Sequence, residues 1–267
     1  MCLILFAWRH HPRYDLIVAA NRDEFHERPS AAAEPWQEAP HVLAGRDLRS
    51  GGTWLGISTR GRFAAVTNYR DPASLKTGAP SRGGLVSAFL LGAEPPGAYL
   101  DRLAPSADRF NGFSLLVGDG DSLHYYSNRG RREELKPGLY GLSNRLLDTE
   151  WQKVAEGKQA FAAALSAGDP DVEDIFRVLA DRRPADDGRL PDTGVGTEWE
   201  RLLSSRFITS PVYGTRSSTA VLMGRSGRAR FVERSFDAQG RSWMTVDMTV
   251  EIARPDDGGK GKRRVSA

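Results

Sequence analysis

Apolar runs broken by short polar segments dominate the first third of the chain. Residues 2–8 and 14–20 are apolar, and residues 9–13 between them hold two histidines, two arginines and a proline. Two apolar runs joined by a short polar segment are typical of a β-hairpin. The same pattern predicts further strands at residues 42–43, 53–57 and 62–67, separated by glycines at positions 51, 52 and 61. This region is therefore predicted to form antiparallel sheet.

Helical spacing of apolar residues begins after residue 80 and alternates with strands from there on. Helices are predicted at residues 81–91, 97–103, 149–166 and 172–180. Strands are predicted at residues 113–117, 122–126, 139–143, 218–223, 229–234 and 243–252. Residues 118–121 are expected to form a second hairpin turn, and residues 183–196, rich in Pro, Asp and Gly, a long surface loop.

This order of elements predicts an α+β fold in which antiparallel sheet is covered by helices. A four-layer αββα sandwich is compatible with the order, although the order alone does not select it over other α+β architectures. With 267 residues the chain is long enough to bury a substantial core, and we expect one domain over residues 1–255.

Composition narrows the class of protein. The chain is 40% hydrophobic and 9% aromatic, as in an ordinary soluble globular protein. Its single cysteine excludes an intramolecular disulfide and fits a reducing compartment, so we predict a cytoplasmic location. The apolar opening of eight residues is too short for a membrane span and lacks the basic start of a signal peptide, so no transmembrane segment is expected.

The net charge of +3 is concentrated at the end of the chain. Lys260, Lys262, Arg263 and Arg264 carry four positive charges with no acid after residue 258, so the rest of the chain has a net charge of about −1. We predict that residues 256–267 form a disordered basic tail, and nucleic acid is not an expected partner.

The only cysteine, Cys2, directly follows Met1. If Met1 is removed, Cys2 carries both a thiol, with a reference pKa of about 8.5, and an α-amine, with one of about 7.7 to 8.0. A free N-terminal amine is able to activate its own side chain, as in N-terminal-nucleophile hydrolases. The alternative is structural, because cysteine is often a small buried hydrophobe.

Four polar residues, Asn21, Arg22, Asp23 and Glu24, follow the apolar part of the second predicted strand. Because the first two strands pair through a short turn, the end of the second lies near the start of the first, beside Cys2. A carboxylate from this group is then able to anchor the α-amine. The alternative is that these residues leave the sheet for solvent.

Other catalytic motifs are missing. The sequence has no Gly-x-Ser-x-Gly elbow, Walker loop or His-Glu-x-x-His, and its five histidines show no metal-ligand spacing, so no metal site is predicted. Trp54 is expected to line a site, since Gly51 and Gly52 permit close approach there.

Met1-Cys2 is followed by further short motifs in order along the chain. They are Ala20-Asn21-Arg22-Asp23-Glu24-Phe25, Ala44-Gly45-Arg46-Asp47-Leu48, Gly51-Gly52-Thr53-Trp54-Leu55-Gly56, Thr67-Asn68-Tyr69-Arg70, Phe113-Ser114-Leu115-Leu116, Gly141-Leu142-Ser143-Asn144 and Gly214-Thr215-Arg216-Ser217-Ser218-Thr219. In these motifs the chain resembles the NRDE family, also called the transport-and-Golgi-organisation family. The resemblance extends to about residue 252 and leaves out the basic tail.

More distantly, the layout is similar to N-terminal-nucleophile (Ntn) hydrolases of the choloylglycine-hydrolase and penicillin-acylase type, which implies an Ntn-hydrolase-like αββα fold. The resemblance implies that the catalytic residues are Cys2 as nucleophile, Asp23 near its amine, and Asn68 and Asn144 around the substrate and oxyanion. Asn21, Arg22, Trp54 and Arg216 are then the expected substrate-binding residues. Those hydrolases commonly have arginine where this chain has Ala20, and Arg22 is the candidate replacement because residues two apart on a strand share a face.

Two functions follow from these resemblances. The first is cysteine-dependent hydrolysis of a small acyl amide after removal of Met1, which requires no cofactor. The second is non-catalytic binding and trafficking of haem or lipid, because the NRDE family is associated with haem mobilisation and lipid handling. In either case the partner is a small molecule, and the oligomeric state stays open.

Overall fold

The computed structural model describes residues 2–166 and 168–253. Its strands are β1 (Cys2–Trp8), β2 (Tyr14–Phe25), β3 (Ser30–Trp36), β4 (Ala39–Asp47), β5 (Leu55–Ser58), β6 (Phe63–Asn68), β7 (Phe113–Gly118), β8 (Leu123–Ser127), β9 (Arg132–Glu134), β10 (Gly138–Leu142), β11 (Tyr213–Gly224), β12 (Arg228–Phe236) and β13 (Ser242–Glu251). Its α-helices are α1 (Gly83–Leu91), α2 (Pro96–Leu103), α3 (Gln152–Ser166), α4 (Val172–Leu179) and α5 (Thr197–Leu202). Short 3₁₀ helices lie at Pro72–Ser74, Ala104–Arg109 and Asp187–Arg189.

Within the described residues the strands form two antiparallel sheets. Sheet A has six strands in the order β10-β1-β2-β11-β12-β13, and sheet B has seven in the order β3-β4-β5-β6-β7-β8-β9. Every pair of neighbouring strands in sheet B is consecutive in sequence, and helices α1 and α2 lie in the connection between β6 and β7. In sheet A, by contrast, β1 lies between β2 and the edge strand β10, so the first described strand is paired on both sides.

The core is divided into layers by the alternation of side chains along the strands. Ile4, Phe6 and Trp8 of β1 pack between the two sheets, whereas Leu3 and Leu5 point outward under α3 and α4. On the other side, α1 and α2 cover sheet B through a separate apolar cluster. Helices thus cover both outer faces, and the predicted α+β, four-layer αββα fold is confirmed.

Two strand registers bring the start of the chain close to the polar part of β2. In the antiparallel β1–β2 ladder, Cys2 lies opposite Arg22 and Trp8 opposite Leu16. On its other edge β2 pairs with β11, where Asp23 lies opposite Thr215 just before an irregularity in register. Cys2 and this polar segment therefore lie at one end of sheet A.

The structure extends several predicted elements. The second strand does not end at residue 20 but continues through Phe25, so Asn21, Arg22 and Asp23 are buried within the sheet rather than leaving it for solvent. Strands β3 and β9 and helix α5 are additional to the prediction. No helix among the described residues is long and apolar enough to cross a membrane.

The predicted basic tail at residues 256–267 lies outside the described residues. The assignment of residues 1–255 to a single domain stays a prediction.

Candidate functional site

A cavity of about 160 Å³ opens at the end of the two sheets where β1 begins. We call it the Cys2 cavity. Sheet A contributes Cys2, Arg22, Asp23, Glu24, Arg216, Ser217, Glu233 and Ser235 to its wall. The opposite wall and the rim include Arg28, Arg46, Asp47, Thr53, Trp54, Asn68 and Arg82. A cavity of about 150 Å³ in another protein holds one benzene molecule, so this one accommodates a small group of similar size.

The Cys2 thiol is buried in the wall of the cavity, with 8% of the residue exposed. Its backbone is fixed by β1 and by Ser143, whose Oγ donates to the Cys2 carbonyl at 3.0 Å. Burial raises the pKa of the thiol and the negative charge of Asp23 adds to this, while Arg22 opposes it. Formation of the thiolate in this environment therefore requires a nearby base or further positive charge.

Asp23 is 1% exposed and lies beside Cys2 at the end of β2. Its Oδ1 accepts a hydrogen bond from Thr215 Oγ1 at 2.7 Å. Burial raises the pKa of this carboxyl, and the positive charges of Lys153 and Arg22 act in the opposite direction. The carboxyl is thus held by β11 close to the start of the chain.

Arg22 shares a face of β2 with Ala20. Ala20 packs in the core between the sheets, and Arg22, two residues later, reaches the Cys2 cavity on the same side. Since Cys2 lies directly opposite Arg22 in the ladder, the thiol and the guanidinium project to the same face. That Arg22 takes the role of the arginine expected at Ala20 stays a prediction.

Asn68 and Asn144 are hydrogen-bonded to each other, but only one of them lines the cavity. Asn144 is fully buried, and its Nδ2 donates to the backbone carbonyl of Asn68 at 3.0 Å. Its own carbonyl accepts the Arg70 N–H at 2.7 Å. Asn68 lines the cavity, and its side-chain amide has no hydrogen-bond partner within the described residues. Asn144 therefore fixes the position of the Asn68 backbone through this hydrogen bond.

Asn21 is not brought into the cavity. It lies on the opposite face of β2, where its Nδ2 donates to the carbonyls of Leu179 and Arg206, at 3.0 and 2.7 Å. Its Oδ1 accepts from Ser218 Oγ at 2.6 Å. These bonds use the amide group to fasten the helical layer and the following loop onto sheet A.

Trp54 lines the cavity, as predicted from the glycines before it. The close approach that these glycines permit is to another part of the backbone. A Cβ on Gly52 would lie 2.6 Å from the carbonyl carbon of Gly83, at the start of α1. Gly52 thus allows the loop before Trp54 to pack directly on the first turn of the helix.

Arg216 lies in the cavity wall, where one of its nitrogens is already engaged. Its Nη1 donates to the carbonyls of Phe25, His26 and Arg28, at 3.0, 3.0 and 3.2 Å. Burial lowers the pKa of this guanidinium, and the charge of Arg22 adds to that effect. Arg216 therefore holds the turn after β2 against β11.

Lys153 is a residue near the site that the sequence reasoning did not identify. It lies on α3, is 4% exposed and donates from Nζ to the Leu203 carbonyl at 2.8 Å. Burial lowers the pKa of this amine to about 8, and the charge of Arg70 contributes, while Asp23 and Cys2 act in the opposite direction. Its position in the sequence, four residues before the buried Gly157 and eight before Phe161, is a detectable signal.

Glu233 is a second buried charge that the sequence reasoning missed. It reaches across from β12 to sheet B, where its Oε1 accepts the backbone N–H of Ala33 at 2.8 Å. Burial raises the pKa of this carboxyl. Arg82, directly before α1, is a partly exposed charge that the sequence reasoning also missed; its Nη1 donates to the Gly112 carbonyl at 3.1 Å. No sequence pattern distinguishes Arg82 or Glu233 from surface charges.

No cluster of three or more His, Cys, Asp or Glu side chains suited to a metal ion lies within residues 2–166 and 168–253.

Comparison with known proteins gives a consistent match along the chain. The model of the family described as Transport and Golgi organisation 2 matches residues 1–238. A Transport and Golgi organization protein 2 homolog of Bos taurus is 42% identical, covering 88% of this chain and 93% of its own. The homolog of Homo sapiens is 39% identical, covering 92% of this chain and 97% of its own.

Solved structures with a similar arrangement include an amidase ortholog and an acylase. The Caenorhabditis elegans ortholog of N-acylethanolamine-hydrolyzing acid amidase has a TM-score of 0.48 and 8% identity, covering 83% of this chain and 92% of that one. Penicillin V acylase from Agrobacterium tumefaciens has a TM-score of 0.41 and 12% identity, covering 88% and 83%.

Proposed function

The chain belongs to the Transport and Golgi organisation 2 family, and we propose that it is an N-terminal cysteine hydrolase that cleaves the C–N bond of a small acyl amide after removal of Met1. The observation that carries this proposal is the meeting of Cys2, Asp23 and Asn68 in the wall of one cavity. A nucleophile, a carboxylate next to its backbone and an amide donor are three of the groups that acyl transfer needs.

The proposed reaction begins at the thiol. The α-amine of Cys2 accepts the thiol proton, and Sγ attacks the carbonyl carbon of the amide. Asp23, held by Thr215, orients the amine and stabilises its protonated form. The proton then passes from the amine to the leaving nitrogen as the C–N bond breaks, which leaves a thioester. Water hydrolyses the thioester and restores the thiol.

Asn68 is the proposed oxyanion donor. Asn68 lines the cavity, whereas the Asn144 amide is already bonded to the Asn68 carbonyl. In this scheme Asn144 is a positioning residue, because it acts on the substrate only through Asn68. Removal of one oxyanion donor typically costs about 2.7 to 4 kcal/mol of transition-state stabilisation.

The test compares wild type with Cys2→Ala, in which alanine is also small enough to permit removal of Met1. Hydrolysis of butyryl-p-nitroanilide is measured by release of p-nitroaniline, intact mass is measured for both proteins, and thermal unfolding checks the fold. We expect release by wild type only, from a chain that lacks Met1. Equal release by both proteins, no release by wild type or a mass that retains Met1 would each contradict the proposal.

Non-catalytic binding of haem or lipid stays a second prediction for the same cavity. Titration of wild type and Cys2→Ala with haem, followed by absorbance, tests it. Saturable binding that is lost in Cys2→Ala would favour haem ligation by the thiol, and absence of saturable binding in wild type would remove the haem alternative.

A further inference from the structure

Charged side chains of both signs line the Cys2 cavity. Its wall contains five arginines, at positions 22, 28, 46, 82 and 216. It also contains four acids, at positions 23, 24, 47 and 233. The balance depends on which of these groups already have partners.

Two of the five arginines are paired with carboxylates. Arg28 donates from Nε to Asp47 Oδ2 at 2.7 Å and lies 3.9 Å from Glu24. Arg46 forms an ion pair with Glu38 and also donates to the Gly51 carbonyl at 3.0 Å. These side chains are held at the rim by protein groups.

The other three arginines have no carboxylate within ion-pair distance in the part of the chain that the structure describes. Arg82 and Arg216 each donate from Nη1 to backbone carbonyls. Arg22 is only 9% exposed, and its Nη1 is buried without a hydrogen-bond partner in those residues. Loss of water from a guanidinium nitrogen that gains no hydrogen bond is costly, although Arg22 lies close enough to Asp23 and Glu233 to lower the pKa of both carboxyls.

The acids of the wall are already supplied with donors. Glu24 and Asp47 face Arg28, Asp23 accepts from Thr215, and Glu233 accepts the Ala33 N–H. Within the described residues, no carboxylate oxygen of these acids lies within 4.0 Å of a side-chain nitrogen of Arg22 or Arg82. Arg22 and Arg82 therefore form no ion pair with the acids of the wall within the described residues.

We propose that Arg22 and Arg82 form an anion subsite beside Cys2, and that the ligand of the cavity carries a carboxylate or phosphate group. Guanidinium groups bind both oxyanions through short charge-assisted hydrogen bonds. Because Arg22 lies directly opposite Cys2, the anionic group sits next to the bond that the thiol attacks. This inference rests on the proposed function and adds to it the charge of the substrate.

The test measures binding to Cys2→Ala, so that it does not depend on turnover. The probes are two matched pairs: N-butyrylglycine with N-butyrylglycinamide, and N-butyryl-O-phosphoethanolamine with N-butyrylethanolamine. Within each pair the amide and acyl group are the same and the negative charge differs. We expect the charged member of at least one pair to bind about tenfold tighter or more, and the pair with the larger ratio identifies carboxylate or phosphate as the preferred group.

Arginine variants locate the effect. In the Cys2→Ala background, Arg22→Met and Arg82→Met are each expected to weaken the charged probe about tenfold and to leave its neutral partner within about twofold. Arg82 is partly exposed, so its variant tests the subsite even if Arg22→Met alters the fold. Arg132→Met, which removes an arginine paired with Asp101 outside the cavity, is the matched control and should change neither.

Two results would overturn the anion subsite. One is the lack of preference for charge in both pairs, including the case in which none of the four probes binds. The other is a preference that both arginine variants leave unchanged. The binding test uses Cys2→Ala and does not depend on turnover. A preference for the charged probes, found together with no turnover by wild type, would therefore contradict the proposed hydrolysis and retain the anion subsite.

Discussion

The two ends of the space between the sheets differ in kind, although the same two strands run through both. At one end Trp8 lies opposite Leu16, and Phe63 and Leu123 join them in an apolar cluster in which all four residues are at most 3% exposed. This cluster forms the apolar wall of a second cavity, of about 640 Å³, whose other residues include Arg9, Asp15 and Asp119. At the other end, only a few residues along the same ladder, Cys2 lies opposite Arg22. We call these the apolar end and the Cys2 end.

The difference shows what each end contributes. The apolar end gains free energy by burying hydrocarbon and needs no special chemistry to do so. The Cys2 end buries a thiol, carboxylates and guanidinium groups, each of which costs desolvation energy. Groups of this kind cluster at functional sites in proteins, which supports the proposal that places the function at the Cys2 end.

The largest effect is expected at the apolar end. Phe63→Ala should lower the free energy of unfolding by about 3 to 5 kcal/mol, because it leaves a cavity in the core between the sheets. Urea unfolding measures the loss, and Trp243→Ala, at a side chain that is 62% exposed, is the control. Binding at the Cys2 end should be unchanged in folded Phe63→Ala; a loss of binding equal to the loss of stability would show that the two ends are not separate.

Lys153 tests the cost of buried charge near the Cys2 end. Its folded-state pKa of about 8 lies below the reference of 10.5, so the folded chain binds fewer protons between these values and stability rises with pH there. The rise amounts to about 3 kcal/mol and should be absent from Lys153→Met. Urea unfolding from pH 7 to 10.5 gives the free energy of unfolding of wild type and Lys153→Met at each pH. The other titrating groups contribute equally to both proteins, so they cancel in the difference. If the two free energies change with pH in parallel, the prediction is wrong.

Gly52 tests whether the Cys2 end is shaped by backbone contact. Gly52→Ala should cost about 1 to 3 kcal/mol, since its Cβ would meet the backbone of Gly83. The matched control is Gly84→Ala in α1, where a Cβ has open space and should stabilise the helix by up to about 1 kcal/mol. Thermal unfolding of both variants distinguishes them, and equal melting temperatures would rule out the contact as a constraint.

Glu233 is expected to give the smallest effect. Burial raises its folded-state pKa above the reference of 4.5, so its contribution to stability is present below pH 4.5 and decreases as pH rises through the folded-state value. Glu233→Gln keeps an oxygen that accepts the Ala33 N–H but has no charge to bury. Chemical unfolding at pH 4.5 and 7 should show a smaller decrease with pH for the variant, and an equal decrease would assign the pH dependence to other groups.

The sequence predicts the apolar end better than the Cys2 end. Strand β1 and the first part of β2 follow from apolar runs, which reflect local burial. The continuation of β2 through Asn21 and Asp23 does not, because these side chains are satisfied by partners such as Leu179 and Thr215, far along the chain. Strand β9, with the sequence Arg-Glu-Glu, is formed by pairing alone.

The same limit applies to the site. Ordered motifs identified Cys2, Asp23 and Asn68, which the structure brings into one cavity. The motif gives Asn21 and Arg22 as neighbours in sequence, but it does not show that strand alternation places their side chains on opposite faces of β2. The burial of Glu233 depends on how the two sheets pack, so only the folded chain reveals it, whereas Lys153 shares the helical spacing of the buried residues of α3.

The bond between Glu233 and Ala33 has a consequence for solubility. Strand β3 is the outer strand of sheet B, and its pairing with β4 is irregular between Ala31 and Glu34. Unpaired N–H groups on an outer strand are a template for aggregation with another chain. Glu233, from the other sheet, occupies the Ala33 N–H and places a buried carboxyl against that strand. The residue that costs stability at the Cys2 end thus also protects this part of the sheet from edge-to-edge aggregation.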